Sequence, residues 1–291
     1  MTVSDDESVV DAARRTARGH AAVLAARGAG AVVLVGSVAR GDAHATSDID
    51  LVALGDGPRY LLERTGGWLV SVRWRRADQV RAAFDSPADA GGVVPAWRGA
   101  VVLHDPNRAA AGLRREALGW DWCRVSAACD RWVAEQITGF AEEVHRLVGC
   151  LTVGRHLPAA VIRSVLAVEL PMVMGVHRRL LYDSQSRVWD LVAEAEGIRW
   201  MVAQRQALGL VPADEHEANV AALEMYALAA RRVLPLLSPT QSSVVDGALT
   251  LVEELALPGD PAVFSAPAGP AGDSRPGSAW CVPASTSAAP G

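Results

Sequence analysis

The chain has 291 residues and a formal net charge of −5, enough length for one large domain or two modest ones with a real core. No Lys/Arg run is long enough to track a nucleic-acid backbone, which argues against a polymerase or an RNA-tailing enzyme and for a partner other than nucleic acid. A mildly acidic protein suits a cationic small substrate better.

Apolar positions at helical spacing (Val9, Val10, Ala13, Ala17, Ala21, Leu24) predict a first helix over 6–27 that ends near Gly28. Residues 31–35 are a short β-branched run and read as a buried strand. Gly36 ends it, and Ser37 is placed to cap a helix whose backbone N–H groups would meet phosphate oxygens. With no Cβ at Gly36, a polyphosphate could also approach the backbone closely. Next comes Ser47-Asp48-Ile49-Asp50-Leu51. On a strand, Asp48 and Asp50 share one face with Cα atoms about 6–7 Å apart, near enough to hold one Mg²⁺ or a pair of ions. A bare Asp-x-Asp is more often a solvated strand edge. The strand, the glycine turn and the loop, present in that order, make this pair informative.

Residues 68–74 alternate, with Leu69, Ser71 and Arg73 on one face and Trp68, Val70, Val72 and Trp74 on the other. They predict a third strand beside the Asp-x-Asp strand. A short helix at 77–83 and a strand at 100–106 complete a small α/β sheet ending near residue 110. Helices follow at 124–150, 158–181, 187–208, 214–236 and 239–256, with Pro171 expected to kink the second of them. From Pro258, Pro, Gly, Ala and Ser dominate and predict a disordered tail. The fold class expected is α+β: a small mixed β-sheet with flanking helices over 1–115, an all-α helical bundle over 116–257, and the tail at 258–291. The cysteines Cys123, Cys129, Cys150 and Cys281 lack Cys-x-x-Cys spacing and read as thiols of a reducing compartment. No membrane-spanning run and no signal peptide are expected, so the cytoplasm is the expected location and no membrane the expected partner.

Gly36-Ser37 followed by Asp48-x-Asp50 resembles the polymerase-β-like nucleotidyltransferase superfamily. That resemblance implies transfer of a nucleoside monophosphate from a triphosphate to a hydroxyl, with Mg²⁺ on Asp48 and Asp50 and ATP or another NTP as co-substrate. The stretches 175–182, 140–143 and 67–72, in that order-preserving arrangement, resemble the kanamycin-type aminoglycoside nucleotidyltransferases. This closer resemblance implies a small-molecule hydroxyl acceptor of the aminoglycoside type, a homodimer, a glutamate base at Glu142, and Arg146 where the family has lysine. It also implies a third acid on the third strand, and here that position is Ser71. Antitoxin-type nucleotidyltransferases, which modify proteins, share the same Gly-Ser and Asp-x-Asp motif but lack a helical half. A non-catalytic nucleotide-binding relative is the remaining alternative, raised by Ser71.

The helix itself bears on Glu142. Ile137, Phe140, Val144, Leu147 and Leu151 gather on one face, and Glu142 points away from it with Arg146 one turn along. An exposed i,i+4 Glu–Arg pair is the plain alternative to a base, and Glu143 is the second choice. Arg40, within the first turn after Gly36-Ser37, could pair with a triphosphate oxygen or be a solvated loop arginine. Ser47 belongs to the nucleotide-binding loop, and His44 beside it reads as exposed. His177, Arg178 and Arg179 form either a substrate-facing surface or a solvated stripe. Trp120 and Trp122 either stack on a base or sugar or fill a core.

Overall fold

A computed structural model describes residues 8–256, and the predicted tail at 258–291 lies outside them. The described residues fall into two compact units. One comprises the chain up to Arg124 together with Leu181–Gln185, and the other Val125–Leu180 and the chain from Ser186. The fold is α+β, with a mixed sheet first and a largely helical region after it.

In the first unit, helix α1 (Val9–Ala26) is opened by Ser8, whose hydroxyl accepts from the Asp11 N–H. Its small apolar stripe, Ala13, Ala17, Ala21 and Leu24, is fully packed against one face of the sheet. The strands are β1 (Ala31–Val35), β2 (Ile49–Leu54), β3 (Leu61–Thr65), β4 (Trp68–Arg75) and β5 (Val101–His104). They lie in the order β3-β4-β2-β1-β5, with β2 and β4 parallel and every other pair antiparallel. Residues 68–74 do form a strand beside the Asp-x-Asp strand, but as β4, because the sequence reading misses β3. That edge strand is Leu-Leu-Glu-Arg-Thr, with no clean apolar alternation. The signal for it is the hairpin turn Gly66-Gly67, where both residues have positive φ as a tight two-residue turn demands.

Helix α2 (Gly36–Arg40) follows β1. Helices α3 (Ala77–Phe84), α4 (Ala90–Arg98) and α5 (Ala109–Leu118) complete the unit. Helix α4 is absent from the sequence reading, because Gly91, Gly92 and Pro95 are poor helix formers. Burial of Ala90, Val94 and Trp97 overrides them. Gly92 is needed for close approach, since a Cβ there would stand 3.0 Å from the Tyr182 ring.

The second unit contains α6 (Ser126–Thr152), α7 (His156–Arg178), α8 (Val188–Glu196), α9 (Ile198–Ala207), α10 (Glu215–Val233) and α11 (Pro239–Ala256). The single helix expected over 187–208 is two, divided at Gly197, whose φ of 93° no continuous helix accommodates. Helix α7 runs on through the buried Pro171. It is also long and apolar enough, by length and composition, to cross a membrane, contrary to the expectation that no such run exists. Most of it is buried within its own unit, which is why an apolar helix of this length can be a core element.

His177, Arg178 and Arg179 match neither expectation. Arg178 makes a two-pronged ion pair with Glu196, which is 3 % exposed, and Arg179 pairs with Asp130 and donates to the Ser126 carbonyl. Burial pulls the His177 imidazole below its usual range. Arg178 and Arg179 tie helices of the second unit together.

Candidate active site

The glycine turn sits where β1 ends. Gly36 has φ 73°, and α2 is a five-residue helix closed by Gly41 at φ 90°. Val35, not Ser37, occupies the cap position, and no side chain caps this helix. Ser37 lies inside the first turn, where its carbonyl accepts from the Gly41 and Asp42 N–H groups. The expectation of a serine cap is corrected by two residues, to Val35: positive φ at Gly36 already turns the chain into the helix.

The loop to the carboxylates is locally organised. The Ser47 hydroxyl accepts from the His44 N–H at 3.0 Å, and the His44 ring contacts the Thr46 hydroxyl at 2.9 Å. His44 is exposed, as expected, and Ser47 shapes the turn that delivers Asp48. Asp48 immediately precedes β2, and Asp50 is the strand's second residue.

Register then brings Asp50 between two strands. It lies opposite Val35 on β1 and opposite Ser71 on β4. The Ser71 hydroxyl donates to Asp50 Oδ1 at 2.6 Å. The other carboxylate oxygen is directed at the glycine turn, and a Cβ on residue 36 would stand 2.6 Å from Asp50 Oδ2. Gly36 is therefore required twice, for its φ and for the room its missing side chain leaves to this carboxylate. The two halves of the motif touch.

Asp50 is half-buried, and its carboxyl is held above the ordinary aspartate range. Burial is the main cause; the Ser71 hydrogen bond opposes it, the neighbouring Asp48 charge adds to it, and Arg73 and Arg40 oppose it. A carboxylate kept in this state, beside a second one, is a donor set that a cation would stabilise. Mg²⁺ is commonly bound by one or two carboxylates plus substrate phosphates and water, so Asp48 and Asp50 fit it. The third-acid position is Ser71, 3 % exposed, with its hydroxyl committed to Asp50. Among the described residues no group of three His, Cys, Asp or Glu forms a metal cluster.

Arg40 is anchored rather than solvated. Its guanidinium donates to the Asp183 carbonyl at 2.6 Å and pairs with Asp42 at 3.1 Å. Asp183 belongs to the five-residue stretch that joins the first unit, held there also by the Tyr182 N–H on the Gly91 carbonyl. Trp120 and Trp122 are buried and packed edge to face at 4.9 Å, so they serve as core and do not stand ready to stack on a ligand.

Gly36, Ser37, Arg40, Ser47, Asp48 and Asp50 all lie in the first unit, whereas Glu142 and Arg146 lie on α6 in the second. Glu142 is exposed. Arg146 pairs with Glu143 at 2.7 Å, an i,i+3 contact, in place of the expected i,i+4 pair with Glu142. The sequence reading also misses the residues that share Asp50's face across the sheet, Leu62 and Arg64, because it lacks β3. Cys123, Cys129 and Cys150 remain thiols, and Cys281 lies outside the described residues.

No curated protein matches the chain at a significant level. Among solved structures, the nucleotidyltransferase-like protein from Exiguobacterium sibiricum is similar at 10% sequence identity and a TM-score of 0.47, over 85% of this chain and 89% of that one. Residues 22–86 match the family model of the nucleotidyltransferase domain. This stretch runs from α1 through the glycine turn, both aspartates and Ser71 to just past α3, so the match covers Gly36, Ser37, Arg40, Ser47, Asp48 and Asp50.

Proposed function

We propose that the protein transfers a nucleoside monophosphate, AMP in the first instance, from an NTP to a hydroxyl of a small molecule and releases pyrophosphate. The observation that supports this is the contact of the Asp50 carboxylate with the Gly36 turn, the two groups assigned here to the metal and to the phosphates. Backbone N–H groups at Gly36 and Ser37 hold the β- and γ-phosphates, and Arg40 adds a positive charge beside them. Asp48 and Asp50 are the residues that would hold Mg²⁺, and the ion would supply positive charge against the phosphates and the leaving pyrophosphate. Ser71 orients Asp50 so that one oxygen faces the site. Glu142 accepts the proton of the acceptor hydroxyl, whose oxygen attacks the α-phosphorus in line as the bond to pyrophosphate breaks.

The resemblance supports a homodimer and makes aminoglycoside-type antibiotics the first acceptors to assay. The test is incubation with labelled ATP, Mg²⁺ and a panel of hydroxylated acceptors, followed by mass analysis for a gain of one nucleotide. A second reading, a nucleotide binder without turnover, is favoured by Ser71 in place of a third acid. Mg-ATP binding by calorimetry without pyrophosphate release would select it.

A further inference from the structure

The face of the sheet that carries Asp50 continues beyond it. Ser71 lies beside Asp50 and Leu62 beside Ser71, Arg73 lies beside Val52, and Arg64 lies beside Leu69. Side chains alternate along each strand, so these residues share one face, while Ile49, Leu51, Val70 and Val72 are buried on the other against α1. Past Asp50, the positions on this face of β2, β3 and β4 hold three arginines, Arg64, Arg73 and Arg75, and no acid.

Two features mark the β4–β3 side as a surface that lacks its complement. Leu62 and Leu69 are 52% and 44% exposed, though Leu62 pairs with Ser71 across the ladder and Leu69 is two residues before Ser71 on the same strand. Arg64 and Arg73 are exposed and make no hydrogen bond or ion pair among the described residues. Burial, and then the charges of Arg59 and Arg73, push the Arg75 guanidinium below its usual range, with Asp89 only partly opposing them. At the Arg73–Arg75 end of the face like charges crowd together, with Asp50 opposing Arg73 and Asp89 opposing Arg75. Gly36 and its phosphate-facing turn lie on the opposite side of Asp50, across β1. Adjacent strands stand about 4.8 Å apart, so Leu62 is roughly 10 Å from the Asp50 strand, the span of a small molecule.

Leaning on the nucleotidyl-transfer assignment, we infer that the acceptor is a hydroxylated molecule carrying an anionic group and an apolar portion, seated on the β4–β3 side of Asp50. The apolar portion covers Leu62 and Leu69, and the anionic group meets Arg73. Its hydroxyl oxygen forms the bond to the α-phosphorus as pyrophosphate leaves, and the proton passes to the base. A polycation would face three arginines and two leucines with no carboxylate on β2, β3 or β4 past Asp50 to receive it, so the acceptor inferred from this face departs from the aminoglycosides that the resemblance puts first.

The test uses the full chain and two fluorescent probes, the apolar anion 8-anilinonaphthalene-1-sulfonate and the apolar cation dansylcadaverine. The anion should bind about 10-fold more tightly than the cation, and Arg73→Ala should weaken it about 10-fold, as loss of a charged hydrogen-bond donor does. Arg73→Glu should reverse the preference, with circular dichroism confirming an unchanged fold for both variants. Equal affinity for the two probes, or anion binding indifferent to both variants, overturns the inference. Displacement of the probe by Mg-ATP would assign Arg73 to the triphosphate and overturns it too, as does probe binding that falls with rising protein concentration, the sign of a second copy on this face. Nucleotide transfer onto a polycationic aminoglycoside overturns it outright. Calorimetry with Mg-ATP keeps the two assignments apart. A chain that binds no Mg-ATP but binds the anion through Arg73 loses the enzymatic reading and keeps only an anion site on this face, and one that binds Mg-ATP with no role for Arg73 loses the acceptor reading alone.

Discussion

The two units differ in how their least exposed carboxylates are matched. In the helical unit each meets an arginine: Glu196 takes both prongs of Arg178 and lies 3.5 Å from Arg232, and Arg199 reaches Glu224 at 2.8 Å. In the first unit, Asp50 is half-buried beside Asp48, and its side-chain hydrogen-bond partner is a neutral serine hydroxyl. Unmatched charge costs stability unless something arrives to match it. Its concentration at Asp50 and along β4 is the contrast on which the proposed function and the acceptor inference rest.

The strongest break of this contrast is Asp48→Asn or Asp50→Asn. Either should lower nucleotide transfer by at least about 10³-fold, the scale of losing a principal electrostatic group, when turnover is followed by pyrophosphate release. Asp50→Asn should at the same time raise the thermal midpoint at neutral pH, because it removes a charge that burial disfavours and keeps the Ser71 hydrogen bond. A neutral double mutant with undiminished turnover would remove the catalytic assignment.

Glu196→Ala tests the other side of the comparison. It leaves Arg178 without its main partner and should cost about 3 kcal/mol in chemical denaturation. Gly36→Ala should come next, at about 1–3 kcal/mol from positive φ alone. Its methyl group would also push the Asp50 carboxylate aside, so activity should fall with stability. Retained activity in a destabilised Gly36→Ala protein would show that the contact with Asp50 is incidental.

The smallest effect expected is on pH dependence. The folded-state pKa of Asp50 lies above its unfolded value, so its contribution to stability is complete below the ordinary aspartate pKa and is lost as pH rises through the folded one. Thermal midpoints of the metal-free protein should therefore fall, from this group, as pH is raised across that window, and Asp50→Asn should flatten the fall. Ser71→Ala removes the hydrogen bond that lowers the Asp50 pKa and should move the acid limb of activity to higher pH. An unmoved limb would mean that another group sets it.

The main strands and the long helices were legible because their periodicity is local. Val32, Val33 and Leu34 announce a buried strand, and the alternation at 68–74 announces β4 and its faces. Strand β3 was not legible, because three of its five residues are charged or polar and only Gly66-Gly67 marks the hairpin. Helix α4 was hidden by two glycines and a proline that burial overrides. The split at Gly197 was missed because one glycine inside an apolar periodic run can be tolerated or can break it, and only its positive φ distinguishes these.

The same division runs through the site. Gly36, Ser37, Asp48 and Asp50 could be named from the sequence, since a strand, a turn and a spaced pair of acids are consecutive along the chain. The Ser71 hydrogen bond, the crowding of Asp50 against Gly36, the tether of Arg40 to Asp183 and the arginine–leucine face across β4 and β3 were decided by tertiary structure alone. They depend on a parallel pairing between strands separated by a hairpin, and on a five-residue stretch returning from far along the chain. Which face a side chain takes is set by its own neighbours in sequence. What it meets there is set by register, and register is a property of the whole packed sheet.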